Sequence, residues 1–168
     1  MRFFVSYIIL FAQFSFAQGN RSMLYAQATE FGYRHQYKES EEVLTQIIDL
    51  YPMDSMAYFD RAIMRENLGD TLGAISDLTK EINIDGENAD NYFLRGMLLH
   101  KTRQFSSALA DFKKVIELDF GNADAHFFAA QLILALHKNP YHAKRQLKQC
   151  LKVNPAHLEA QELLRDMD

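Results

Sequence analysis

Asn88–Gly96 reads NADNYFLRG, and Asn122–Ala130 reads NADAHFFAA. The two phrases lie 34 residues apart, and the same interval runs through most of the chain. Units counted from Arg21, Ser55, Ala89 and Ala123 agree place by place. The eighth place is always small: Ala28, Ala62, Gly96 and Ala130. The twentieth is Ser40, Ala74 and Ala108, with Ala143 one residue late in the last unit. The twenty-fourth holds Leu44, Leu78, Phe112 and, with that shift, Leu147. Ile48, Ile82, Ile116 and Leu151 follow one helical turn later.

A repeat of this length suits two antiparallel helices and their turns. Helix axes approach to about 8–10 Å only where the contact residues suit the gap. Small residues at the eighth and twentieth places allow a close crossing. Large aliphatics at helical spacing fill the volume beside it. The breaks fall between these helices. Gly69-Asp70 divides the second unit and Asn139-Pro140 the fourth. Asn139 can cap a helix that Pro140 begins. Pro52, Gly86 and Pro155 close the first, second and fourth units. Only three prolines and seven glycines punctuate the 168 residues, which favours long helices over many short strands.

The small-residue pattern, the interval, and strings such as AISDLTKEINID (Ala74–Asp85) and ALADFKKVIELD (Ala108–Asp119) resemble the tetratricopeptide repeat family. The resemblance covers residues 21–168 and implies an all-α, right-handed α-solenoid of four helix-turn-helix units. The units are expected at 21–54, 55–88, 89–122 and 123–157, with a capping helix at 158–168. Arg103 stands where the family usually has a turn glycine, and Ser40 replaces alanine.

Arginine and aspartate come and go together in these units. Arg61 and Arg95 take the seventh place where Asp77 and Asp111 take the twenty-third. The other two units have Gln27 with Val43 and Ala129 with Gln146. Arg61–Asp77 and Arg95–Asp111 pairs, helix to helix within a unit, are therefore expected.

The resemblance also implies a function. First helices of successive units in this family line a concave groove, which the fifth place usually faces. Here that place holds Tyr25, Phe59, Phe93 and Phe127, with Ile63 and Met97 one turn on. Such a surface suits an extended or helical peptide. One subset of the family grips a C-terminal carboxylate with cations in the groove. The matching places here are Tyr25, Thr29, Asp60, Asp90 and Leu94, or, one unit on, Phe59, Ile63, Leu94, Asp124 and Phe128. They offer acids and no cation, so that mode is not expected.

Charge adds a second surface. Residues 18–88 carry a net −7, and residues 89–168 a net +2. Lys138, Lys144, Arg145, Lys148 and Lys152 form a basic strip without an acid among them, open to an acidic protein or an anionic membrane surface. The whole-chain charge of −4 gives no push toward nucleic acid.

The first residues differ in kind. Arg2 precedes an apolar run from Phe3 to Phe16, and Ser15 and Ala17 make a small-x-small pair. This is the layout of a secretory signal peptide cleaved after Ala17, followed by a short linker over 18–20. An exported protein, periplasmic or secreted, is expected. Cys150 is the only cysteine, which excludes an intramolecular disulfide framework, and its place predicts a buried, inert thiol.

No HExxH, GxSxG or phosphate-cradling glycine loop occurs. His137 and His142 flank one turn without an evident third metal ligand. No cofactor, metal or catalytic residue is expected. The expected role is a non-catalytic scaffold or adaptor that holds a peptide segment of an envelope or secreted partner. A self-associating structural subunit is the alternative, and a hydrolase of an envelope polymer is the weakest reading.

Overall fold

The computed structural model describes residues 19–137 and 139–167, and every regular element among them is helical. The expected signal peptide and Lys138 lie outside the described residues. Helix α1 occupies 19–33 of the described chain. It is followed by α2 (Tyr37–Leu50), α3 (Ser55–Asn67), α4 (Thr71–Ile84), α5 (Ala89–Lys101), α6 (Phe105–Leu118), α7 (Ala123–His137), α8 (Pro140–Val153) and α9 (Leu158–Arg165). The starts of α3, α5 and α7 are 34 residues apart.

The helices begin where short polar side chains accept orphan backbone N–H groups. Asp54 accepts from Ala57, Asn88 from Asp90, Asn122 from Ala125, and Asn139 from His142. Pro140 occupies the first turn of α8, where its missing N–H costs no hydrogen bond. Between first and second helices the chain turns through a left-handed residue. Gly69 takes φ +84°, but His35 and Arg103 take +58° and +61° at the equivalent places. The missing glycine at Arg103 therefore leaves the turn conformation in place.

The chain divides into two compact units, Met1–Asp77 and Leu78–Asp168. In the first unit Ala28, Val43, Leu44, Ile47, Ile48 and Ala57 form the core, with Leu24, Tyr25, Phe31, Tyr51, Tyr58 and Met64 packed on it. Ser40 sits in this apolar contact because its hydroxyl donates to the Ala28 carbonyl at 2.8 Å, across α2–α1. In the second unit consecutive helices pack in sequence order, α5 to α6, α6 to α7, α7 to α8 and α8 to α9. Phe112, Val115, Leu132, Leu147 and Cys150 are fully buried there. Gly96 faces Phe112 so closely that a Cβ would stand 3.1 Å from the ring, which accounts for glycine at an eighth place otherwise alanine.

Both expected ion pairs form, each as a two-point fork. Arg61 Nε and Nη2 donate to Asp77 Oδ2 and Oδ1 at 2.8 and 2.7 Å. Arg95 holds Asp111 at the same two distances. The third nitrogen of each guanidinium donates backward, Arg61 Nη1 to Thr45 Oγ1 at 3.1 Å and Arg95 Nη1 to Thr79 Oγ1 at 3.2 Å. Each arginine thus spans three helices. Where the fourth repeat lacks the pair, His126 Nδ1 meets Gln146 Oε1 at 2.7 Å and links α7 to α8.

Candidate functional site

The expected groove residues belong to different units and have different fates. In the first unit Tyr25, Phe59 and Ile63 are half-buried. The Tyr25 hydroxyl donates to Asp54 Oδ1 at 2.8 Å, and Arg21 lies over its ring. Its polar end is therefore committed to the fold. Asp54 also accepts from Arg21 Nε at 2.6 Å. A recess of about 300 Å3 in this unit is lined by Ala28, Thr29, Tyr33, Asp60 and Met64 among others, and by none of the expected aromatics. Burial, followed by the charge of Asp54, raises the pKa of Asp60 there.

In the second unit Phe93, Met97 and Phe127 come together in one recess of about 530 Å3. Phe93 and Met97 stand on α5 and are half-buried, whereas Phe127 on α7 retains 8% of its surface. Phe127 is a floor for this recess rather than a projecting rung. Phe128 completes the aromatic cluster, 6.2 Å from Phe93 and 5.5 Å from Phe127 between ring centroids. Phe93 is held edge-on to Phe112 at 5.7 Å. Such offset aromatic packing fixes ring orientation as well as burying area.

The other wall comes from the approach to α9. Asn154, Ala156, His157, Leu158 and Glu159 line it, and Asp124 joins from the first turn of α7. His157 caps α9, its Nδ1 accepting the Ala160 N–H at 3.3 Å. That acceptor role puts the imidazole proton on Nε2, which faces Asp124 Oδ1 at 3.2 Å. Glu159 Oε2 lies 3.2 Å from Nδ1. The imidazole is buried against Phe127, with centroids 4.7 Å apart. The Asp124 and Glu159 side chains stay 63% and 70% exposed, so both carboxylates stand at the solvent rim. No lysine or arginine lines the recess.

Both imidazole nitrogens are engaged, and no serine, threonine or cysteine lines the recess to serve as a nucleophile. Among the described residues no group of three His, Cys, Asp or Glu side chains is placed to hold a metal ion. The expected His137–His142 pairing rests on a His137 side chain outside those described. Among the described residues no helix is long and apolar enough to cross a membrane. On α8, Arg145, Lys148 and Lys152 are exposed and Lys144 is half-buried, opposite the buried Ala143, Leu147 and Cys150.

Two family models match, both described as tetratricopeptide repeat, one over residues 25–89 and the other over 89–122. The chain is a tetratricopeptide-repeat protein. No curated protein sequence matches it. Among solved structures the repeats are similar to MamA, with a TM-score of 0.81 and 13% identity over 88% of this chain and 80% of that one. They are also similar to YrrB, described as a TPR protein with an unusual peptide-binding site: TM-score 0.73, 20% identity, 86% of this chain and 74% of that one. The first TPR of Spaghetti (RPAP3), bound to HSP90 peptide SRMEEVD, aligns with a TM-score of 0.61 and 21% identity over 67% of this chain and 89% of that one. At these identities the likeness is one of fold, an all-α tetratricopeptide-repeat solenoid.

The sequence reading named Phe93, Met97 and Phe127 but passed over Phe128, Asp124 and the cap at His157 as one locus. Asp124 and His157 are 33 residues apart and belong to different helices. The only sequence signal for their meeting is that both stand at helix starts, close to one repeat apart.

Proposed function

We propose that the protein is a non-catalytic interaction scaffold and that the second unit captures a peptide segment of a partner protein. The observation that carries this reading is the open recess of about 530 Å3 with an aromatic floor. Ligand sites commonly enclose about 300–1,000 Å3 and pair apolar walls with a few placed polar groups. Two similar structures are described as having a peptide-binding site or a bound peptide, which supports a peptide as the class of partner here. Tyr25, Phe59 and Ile63 belong to the proposal as apolar surface of the first unit.

An exported setting is part of the same proposal, with cleavage after Ala17 and a partner in the envelope or outside the cell. Amino-terminal sequencing of the mature protein tests it. The basic face of α8 is the second contact in this proposal, for an acidic partner or a membrane surface.

The binding reading is tested by selecting displayed random peptides on the full chain and measuring the selected ones against Met97→Ala and Phe93→Ala. Enrichment of apolar sequences that lose affinity in both variants is the expected result. Selected peptides that bind both variants unchanged would remove the recess from the account.

Self-association is the second reading. Met23, Tyr33, Met53 and Met56 in the first unit are exposed by 73, 81, 75 and 59%. Light scattering across a concentration series decides it, and a monomer at every concentration would reject it.

A further inference from the structure

The charge around the recess says more about its ligand than the floor does. The floor takes any large apolar side chain, because Phe93, Met97, Phe127 and Phe128 provide contact without direction. The rim is different. Asp124 and Glu159 both reach it, and no lysine or arginine lines it. Each carboxylate has one oxygen near His157, Oδ1 of Asp124 at Nε2 and Oε2 of Glu159 at Nδ1. The imidazole between them is nearly sealed from solvent, whereas the acids are mostly exposed. Nδ1 already accepts from Ala160, so the imidazole proton holds only Asp124 Oδ1, and Asp124 Oδ2 and the Glu159 carboxylate are left to a ligand at the rim.

We infer that this recess takes a peptide segment in which a large apolar residue is flanked by lysine or arginine. The inference rests on the scaffold reading above. The apolar residue lies on the aromatic floor, and the flanking cation meets Asp124 and Glu159. Arginine is favoured over lysine, because its planar fork can bridge both acids with separate donors. A flanking acid is repelled, and a segment ending in a free carboxylate at the rim is repelled in the same way. Rim charges of this kind act on choice of partner and on association rate more than on total affinity.

The test uses fluorescein-labelled peptides GSFKLRGS, GSFQLQGS and GSFELEGS, with anisotropy read on the full chain in low and moderate salt. The basic peptide is expected to bind about three- to tenfold tighter than the neutral one, as suits two exposed charge contacts. The acidic peptide is expected to bind weakest. Added salt should narrow the spread. In Asp124→Asn with Glu159→Gln the ratio of basic-peptide to acidic-peptide affinity should fall to about one. Equal binding of all three peptides, with binding lost in Met97→Ala, would overturn the charge inference and leave the scaffold reading standing. No binding of any peptide would overturn both. A preference for GSFELEGS would overturn the inference outright.

Discussion

Arg95 holds Asp111 through two parallel hydrogen bonds of 2.8 and 2.7 Å, from the middle of α5 to the middle of α6. Both side chains are mostly buried, at 17 and 6% exposure. Burial makes the pair a matter of register more than of net stability, because two charges leave water to form it. Arg95→Ala should cost about 3 kcal/mol by leaving the Asp111 carboxylate buried and unpaired. The double change Arg95→Met with Asp111→Leu should fall within about 1 kcal/mol of the native chain. Urea unfolding of the three proteins gives the comparison. Equal losses in the single and double variants would mean that the ion pair itself, and not only the removal of a partner from a buried charge, stabilises the fold.

Glu81 on α4 is buried with Oε2 unpartnered, beside Asn91 on α5, whose Oδ1 is also unpartnered. Burial, then the charge of Asp85, pushes the Glu81 carboxyl up from its ordinary 4.5 to about 7. The unfolded chain releases this proton near the ordinary value while the folded chain keeps it. Stability from this group is therefore intact below that value and lost as the pH rises through about 7. Glu81→Gln supplies an N–H permanently and removes the dependence. Its stability relative to the native chain should rise by about 3 kcal/mol between pH 4 and pH 8. Denaturant unfolding at the two pH values measures the difference, and a constant difference would contradict the assignment.

His35 and Arg103 occupy left-handed turns at φ +58° and +61° that Gly69 occupies without a side-chain penalty. Replacing either with glycine relieves a steric cost of about 1–2 kcal/mol and gives some back in unfolded-chain entropy. A net gain of about 0.5–1 kcal/mol is expected for each variant. Gly69→Ala should move the other way. Thermal unfolding of the three variants checks the signs.

Cys150 is fully buried on α8. Burial, followed by the charges of Asp124 and Glu159, raises its thiol pKa to about 11. Little thiolate exists at neutral pH, and reagents have no access to it. A disulfide reagent should leave the native chain unlabelled over hours and label it at once in denaturant. Fast labelling of the native chain would show that α8 opens.

The 34-residue interval was legible because helix length, turn length and close approach are all local demands on residue type, and each recurs in every unit. The arginine forks were legible for a related reason, since a buried guanidinium needs its carboxylate wherever it occurs. The substitute at His126 and Gln146 was not legible, because a neutral hydrogen bond can be made by many residue pairs. Ring exposure was not legible either. Tyr25 and Phe127 share one place in the repeat, yet Tyr25 is tied to Asp54 and Phe127 lies under His157. What covers a ring comes from a neighbouring element, and the periodicity of its own helix is silent on that neighbour.

Methionine methyl spectroscopy tests the central claim most directly. Met97 lines the aromatic recess, while Met23, Met53 and Met56 are exposed in the other unit and serve as internal controls for nonspecific apolar contact. On titration with a peptide selected by the chain, the Met97 methyl resonance should shift and saturate while those three stay in place. A saturating shift at Met23, Met53 or Met56 with Met97 unmoved would contradict the assignment of the binding surface to the second unit.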